Sequence, residues 1–522
     1  MKRPSAGLLV TISLGAVSAA SGCSHYRPAL FADRPVVEAM HDDEPIAVPA
    51  RRSYDERQQV ADIYLRRPLF DVVRPLDFKT GGDVNAMDEV PISSWYDPGQ
   101  TTKVAAPDAA QTPPVLPLTA LDESPSTTGE ALVVRDARGV RYELLADRPD
   151  HVGLLTGAEV LGSHLVRGLG LRAPKAWIVG VPDVALLDDG PAANARLERW
   201  FVDKAPAVSG RRRLSATLWP SGIDVGYTKD FSTRDDDKND TVEHQNRRTL
   251  RATRIFAHWM GWTSFSVLST RDVYVGAKGQ GHLLHFLVGT SQSLGTQDIQ
   301  EEERKEDLGG GIGRNLLTLG LAAPTVSAAR RSPFASVGYL PPIIEPGTFD
   351  VSPPYSPFIR LTPPDEYWAA ERMIDAGDDA LRIGIEAAFL PPDAARYLTG
   401  VLQFRRRILV AHALAGVTPI DVAATTGRAV WLRDRSIAAG FTEAANTKYD
   451  VRYLDPDGVD VAPRRTLQAR GELSVVGLPN SFVFGPVVIQ VRAIRSGVVA
   501  PRALDIHVRA DRQSARVIGV RH

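Results

Sequence analysis

Little in this chain favours covalent bracing, charge-driven binding or membrane crossing. Cys23 is the one cysteine among 522 residues, so no disulfide can form within a single chain. Neither charge is in surplus: 61 basic residues face 62 acidic ones, a formal net of −1. That balance argues against a nucleic-acid partner, which needs a basic face. Beyond the first two dozen residues no apolar run approaches the ~20 needed to span a bilayer as a helix. Stability must therefore come from packing. The length allows two or three domains, and 43 % hydrophobic residues suffice for their cores. Proline (38) and glycine (43) are plentiful, which predicts long irregular stretches between elements.

The N-terminus carries an export pattern. Lys2 and Arg3 precede a small apolar run from Ala6 to Ala20, too short for a spanning helix and read as a removable segment. The following Ala20-Ser21-Gly22-Cys23 resembles a lipobox, with alanine in place of the usual first leucine. In a lipobox the cysteine thiol is diacylated and becomes the new N-terminus. Residues 1–22 are thus expected to be a lipoprotein signal peptide and Cys23 the lipidation site. The alternative is an ordinary secretory signal beside a chance cysteine. Two or three acyl chains anchor stably where one does not. Loss of Lys2 and Arg3 would shift the net charge from −1 to −3. Ser24 resembles the sorting pattern of outer-membrane lipoproteins. The expected location is the cell envelope, lipid-anchored in the outer membrane and facing the periplasm.

Residues 23–125 read as an extended tether, with 104–128 as a linker and a docking island at 83–97 around Trp95 and Tyr96. From 126 the pattern is α+β. Ala131–Val134 and Tyr142–Leu145 are hairpin strands around the turn Asp136–Gly139. Gly157–Leu169 has apolar residues at helical spacing, and Ala176–Val181 is a strand. A helix is predicted over 247–262, strands over 272–275 and 282–288, and helices over 365–377 and 393–415. Residues 426–522 alternate short β-rich runs with turns and predict a small antiparallel β domain.

The order of these pieces resembles a family of uncharacterised bacterial envelope proteins whose core is similar to the divergent protein-kinase-like fold. The resemblance covers roughly residues 83–425. It is carried by the Asp88–Trp95 island, Gly157-Ala158-Glu159-Val160, the Arg254–Trp259 helix and Tyr367-Trp368-Ala369-Ala370. It implies a two-lobed kinase-like core, here 126–425, followed by the β domain. Phosphoryl transfer in such a core needs a strand lysine paired with a helix glutamate, a catalytic Asp, a metal-binding Asn and a further metal-binding Asp. Glu159 stands at the helix position. Leu145 falls at the lysine position. Trp262, Ser264 and Ser269 fall at the His, Asp and Asn positions of the catalytic loop. Gly289 falls at the metal Asp, upstream of a matching Ser293-Leu294-Gly295. Serine hydroxyls do not replace carboxylates around magnesium, a hard cation. The resemblance therefore implies a pseudokinase, with no catalytic residues and no cofactor.

Other constellations are weaker. Asp235, Asp237 and Asn239 alternate as in an EF-hand, but Asp240 stands where glycine belongs and Asn246 where glutamate belongs. The segment is expected to be a solvated acidic loop, with Asp235, Asp237 and Asp240 the best metal candidates. Ser291 sits one residue short of a Gly-x-Ser-x-Gly elbow, because Ser293 replaces the last glycine. His244, His258, His282 and His285 have no spacing that selects a base or a metal ligand. Gly309–Gly313 follows no strand and is expected to be a loop. Arg405-Arg406-Arg407 is expected to be a solvated helix face.

Three functional expectations follow. The first is a lipid-anchored, catalytically degenerate kinase-like protein with a binding or scaffolding role. The second is an active phosphotransferase with relocated acids such as Asp272 or Asp240. The third is a structural or carbohydrate-binding lipoprotein. The expected partners are the membrane, through the acyl chains, and a protein of unknown identity.

Overall fold

The computed structural model describes residues 26–67, 80–101, 112–123, 131–187, 200, 209–297, 332–479, 482 and 485–522. Cys23 with its leader, and the glycine cluster 309–313, lie outside them.

Strands β1 (Leu118–Ala120), β2 (Leu132–Arg135), β3 (Arg141–Ala146), β4 (Ala176–Val181), β5 (Leu186–Leu187) and β6 (Arg212–Leu218) form one sheet in the order β4-β6-β3-β2-β1-β5. The expected hairpin is β2–β3, turned at Gly139 with φ +86°, a conformation glycine adopts without strain. Leu132, Val134, Tyr142, Leu144 and Ala146 bury one face of it, the period-2 pattern of a strand. Two strands correct the sequence reading. β1 lies inside the expected linker, with Leu118 and Ala120 fully buried. β6 is central, although its arginine start hides the alternation of Leu214 and Ala216.

Four helices build the second body: α1 (Leu154–Gly168), α2 (Arg248–Met260), α3 (Pro363–Ala387) and α4 (Pro392–Gly416). Leu161, Leu165, Phe256, Trp259, Trp368 and Leu402 share its core. α3 runs ten residues past its expected end. Gly377, at φ 62° and ψ −162°, breaks it locally, and the helix resumes to bury Leu381 and Ile385. A second sheet pairs β7 (Ile223–Asp224), which precedes α2, with β8 (Thr270–Val275) and β9 (His282–Leu287), which follow it. No helix among the described residues is long and apolar enough to cross a membrane.

The C-terminal domain is antiparallel. β10 (Ile420–Thr426), β11 (Ala429–Asp434) and β14 (Leu473–Gly477) form one sheet. β12 (Thr447–Leu454), β13 (Asp460–Gln468), β15 (Gly485–Arg495), β16 (Val498–Val499), β17 (Leu504–Ala510) and β18 (Ala515–Arg521) form the other. Ile420 is buried in this domain's core, so the domain starts with β10 and not at 426.

Residues 26–55 are mostly extended and 56–66 are helical, and the stretch is fastened to the C-terminal domain and to the sheet of β7–β9. The Phe31 ring lies 4.6 Å from that of His507 and packs where a Cβ on Gly519 would meet it at 2.4 Å. Asp33 pairs with Arg509 and Arg516. Ile46 N donates to Gly281 O and Arg52 N to Val225 O. Arg67 grips Asp230 with two 2.7 Å bonds. In the island, Asp83 accepts from the amides of Arg248 and Thr249 at the start of α2, and Trp95 stacks on His285 at 3.8 Å.

Candidate functional site

Glu159 is placed by a helix whose first turn is capped from the end of β3. The Asp147 carboxylate accepts from the amides of Gly153, Leu155 and Thr156 and from the Thr156 hydroxyl, satisfying the orphan donors of the helix start. The middle of the helix is held by close packing. A Cβ on Gly384 of α3 would meet Leu161 at 2.7 Å, and one on Gly162 would meet Thr290 at 2.6 Å. Helix α1 is thus wedged between α3 and the turn after β9.

That turn, Thr290–Gln292, begins at Gly289 in the left-handed region. It aims its donors at Glu159. The Ser291 amide reaches Glu159 Oε2 at 2.7 Å, and the Thr290 hydroxyl reaches the same oxygen at 3.1 Å. The Thr217 hydroxyl of β6 donates to Oε1 at 3.1 Å. Every partner is neutral. Burial pushes the Glu159 carboxyl above the usual carboxylate range, against the opposing pull of these hydrogen bonds. The cavity beside it, walled by Glu143, Ser163, Thr217, Trp219 and Thr290, measures about 10 Å³, the space of a single water.

The sequence-predicted positions gather around this cavity only in part. On β3 the wall residue is Glu143; half-buried Leu145, two residues on, does not line it. Trp262 is fully buried in the helical core, edge-on to Phe265 at 5.0 Å. Ser264 Oγ is buried without a hydrogen-bond partner among the described residues. The Ser269 hydroxyl accepts from the Ser266 amide and closes a local capping box. Gly289 offers no side chain. None of these groups is a carboxylate.

The acidic residues proposed as relocated catalysts are committed elsewhere. Asp272 is fully buried between Arg234 (2.8 Å), His285 (2.7 Å) and Thr228, and these partners hold its carboxyl far below the usual range. Asp240 is occupied by His244 (2.7 Å), Arg247 (2.7 Å) and the Arg234 amide. Asp237 caps the Asn239 amide, and Asp235 is exposed. The loop corrects the expectation of a solvated acidic segment: Asp237 and Asp240 are buried. Among the described residues no group of three His, Asp or Glu is arranged to hold a metal ion.

The remaining candidates are structural in geometry. Ser291 gives both its amide and its hydroxyl to Glu159. His258 is buried against the Phe349 ring at 4.9 Å, and its pKa falls to about 4 through burial and the charges of Arg405 and Arg254. The basic triplet of α4 is solvated only in part: Arg407 is exposed, Arg406 half-buried and Arg405 buried. Arg405 is 2 % exposed and donates to the carbonyls of Trp259, Pro341 and His258, where it complements the C-terminal end of α2. Arg406 donates to Gly377 O.

No family model matches the chain, and no curated protein matches it. Among solved structures it is similar to a Helicobacter pylori proinflammatory kinase, CtkA. The two are 9 % identical, with a TM-score of 0.28, over 54 % of this chain and 90 % of that one. It is also similar to a Golgi casein kinase with Mn/ADP bound, at 10 % identity and a TM-score of 0.33, over 71 % of this chain and 94 % of that one. A further Golgi casein kinase structure gives 11 % identity and a TM-score of 0.28, over 72 % and 97 %.

Proposed function

We propose that this chain is a lipid-anchored envelope protein with a catalytically degenerate kinase-like core, acting by binding or scaffolding. The succession of hairpin, helix α1, sheet, helix α2 and hairpin β8–β9 supports the kinase-like reading of 126–425. The observation that carries the loss of chemistry is the state of Glu159. Its carboxylate is saturated by Ser291, Thr290 and Thr217, and the space beside it is about 10 Å³, where a ligand pocket ordinarily needs ~300 Å³ or more. Phosphoryl transfer is almost wholly positioning and charge stabilisation by metal and lysine. The positions of Leu145, Ser264, Ser269 and Gly289 supply neither.

The test is thermal unfolding with and without ATP and magnesium. A ligand at 100 times its Kd adds ~2.7 kcal/mol of stability; no shift is expected. Transfer of labelled phosphate to the protein itself or to a generic substrate would overturn the reading. Lipid anchoring is tested separately. Cys23→Ser is expected to move the protein from the membrane to the soluble fraction, and unchanged partitioning would refute it.

A further inference from the structure

Room for a ligand exists away from Glu159. A cavity of about 500 Å³ opens at the seam between the island, helix α3 and the start of the β domain. Its size is that of an ordinary small-molecule site.

The wall alternates donors and acceptors. The Tyr367 hydroxyl donates to Asp421 at 2.8 Å. Arg435 Nε lies 3.4 Å from Asp421 and 3.9 Å from Glu371. Asp375 draws in both Arg435 (2.5 Å) and Arg372 (3.0 Å), and Arg372 also donates to the Tyr96 hydroxyl at 3.1 Å. Three buried nitrogens of this wall have no hydrogen-bond partner among the described residues: Arg372 Nε, Arg435 Nε and His522 Nε2. The His522 side chain is only 7 % exposed.

The charges of the wall nearly cancel. Burial and the neighbouring Asp421 raise Glu371 well above the carboxylate range, and burial raises Glu89 as well. An anionic ligand would meet the carboxylates of Asp375 and Asp421; a cation would meet the guanidinium groups of Arg248, Arg372, Arg433 and Arg435. A hydroxyl both donates and accepts, so it satisfies either kind of wall group without adding charge. We propose that this cavity binds a neutral polyhydroxylated ligand, a saccharide of one or two rings. The proposal is independent of the Glu159 reading and survives even if nucleotide binds there.

The experiment is calorimetric titration of the full chain with glucose, galactose, N-acetylglucosamine, maltose and cellobiose, with glucuronate and glucosamine as charged counterparts. At least one neutral sugar is expected to bind more tightly than either charged one. Asp421→Asn should weaken that binding about tenfold, the loss of one charge-assisted hydrogen bond. Ala423→Trp, at an exposed position on the cavity wall, should abolish it while leaving Tm unchanged. It serves as the second variant if Asp421→Asn fails to fold. Absence of binding by every neutral sugar at tens of millimolar, tighter binding of a charged sugar, or binding that survives Ala423→Trp would each overturn the proposal.

Discussion

The backbone amide of Ser291 donates a 2.7 Å hydrogen bond to the Glu159 carboxylate and so joins helix α1 to the turn after β9. In an active phosphotransferase the helix glutamate is held by a cationic side chain that also contacts nucleotide phosphates. Here the partners are an amide and three hydroxyls, groups that do not change charge when a nucleotide arrives.

Glu159→Ala is expected to cost ~2–4 kcal/mol, since it leaves the Ser291 amide and the Thr217 hydroxyl unpaired and opens a void. Glu159→Gln keeps one acceptor oxygen for the Ser291 amide, its NH2 can donate to the Thr217 hydroxyl in return, and it should cost less. Because burial raises this carboxyl, its contribution to stability is full below the ordinary carboxylate range and lost as pH rises through the raised value. The glutamine variant should therefore gain on the parent with rising pH. Urea midpoints at acidic and alkaline pH measure this.

Asp505 gives a second pH signature. It is 7 % exposed, accepts from Gln490 at 3.0 Å, and has a pKa pushed up to about 7 by burial. Its stabilisation is complete below the unfolded value near 4 and fades as pH rises to 7. Asp505→Asn is expected to be near neutral at pH 4 and stabilising by ~2–4 kcal/mol at pH 8. Equal effects at both pH values would refute the shift.

The acid side belongs to His507 and His258, both lowered to about 4 by burial and nearby arginines. A histidine kept neutral in the folded chain stabilises above the unfolded pKa near 6.5, and that stability is lost as pH falls through the folded value. His507→Phe, beside the Phe31 ring, should flatten the fall in Tm between pH 6.5 and 4. A fall as steep as the parent's would count against it.

Arg67 ties the N-terminal segment to the body. It pairs with Asp230, which also accepts from the Ser356 amide, and it donates to the Ser356 hydroxyl. Arg67→Met leaves Asp230 buried and uncompensated, at an expected loss of ~3–5 kcal/mol. Arg67→Met with Asp230→Leu should recover much of that loss, because both charges are then gone. A double-mutant cycle in urea decides the point.

The elements legible in the sequence were those with a local pattern. The β2–β3 hairpin, α1, β4, α2 and α4 fall within a few residues of their expected bounds because apolar spacing and glycine stops are local signals. The errors lie where pairing is remote. β1 looked like linker because three residues among prolines carry no period, and only remote pairing, with β2 through Thr119–Arg135 and Ala120–Val134 and with β5 through Leu118–Leu186, makes them a strand. Arg405 looked solvated because the carbonyls it caps are about 145 residues away. The seam cavity was not foreseen. Its walls come from residues near 90, 370, 421 and 522, and each taken alone resembles ordinary surface charge.

By itself the sequence determined composition, the α+β order, the single cysteine and the absence of carboxylates at the presumed catalytic positions, since identity and short-range spacing are written residue by residue. The tertiary structure alone decided what surrounds Glu159 and where space remains. Whether a carboxyl is saturated, raised in pKa or open to a ligand depends on groups brought close from distant parts of the chain, and on the water their packing excludes.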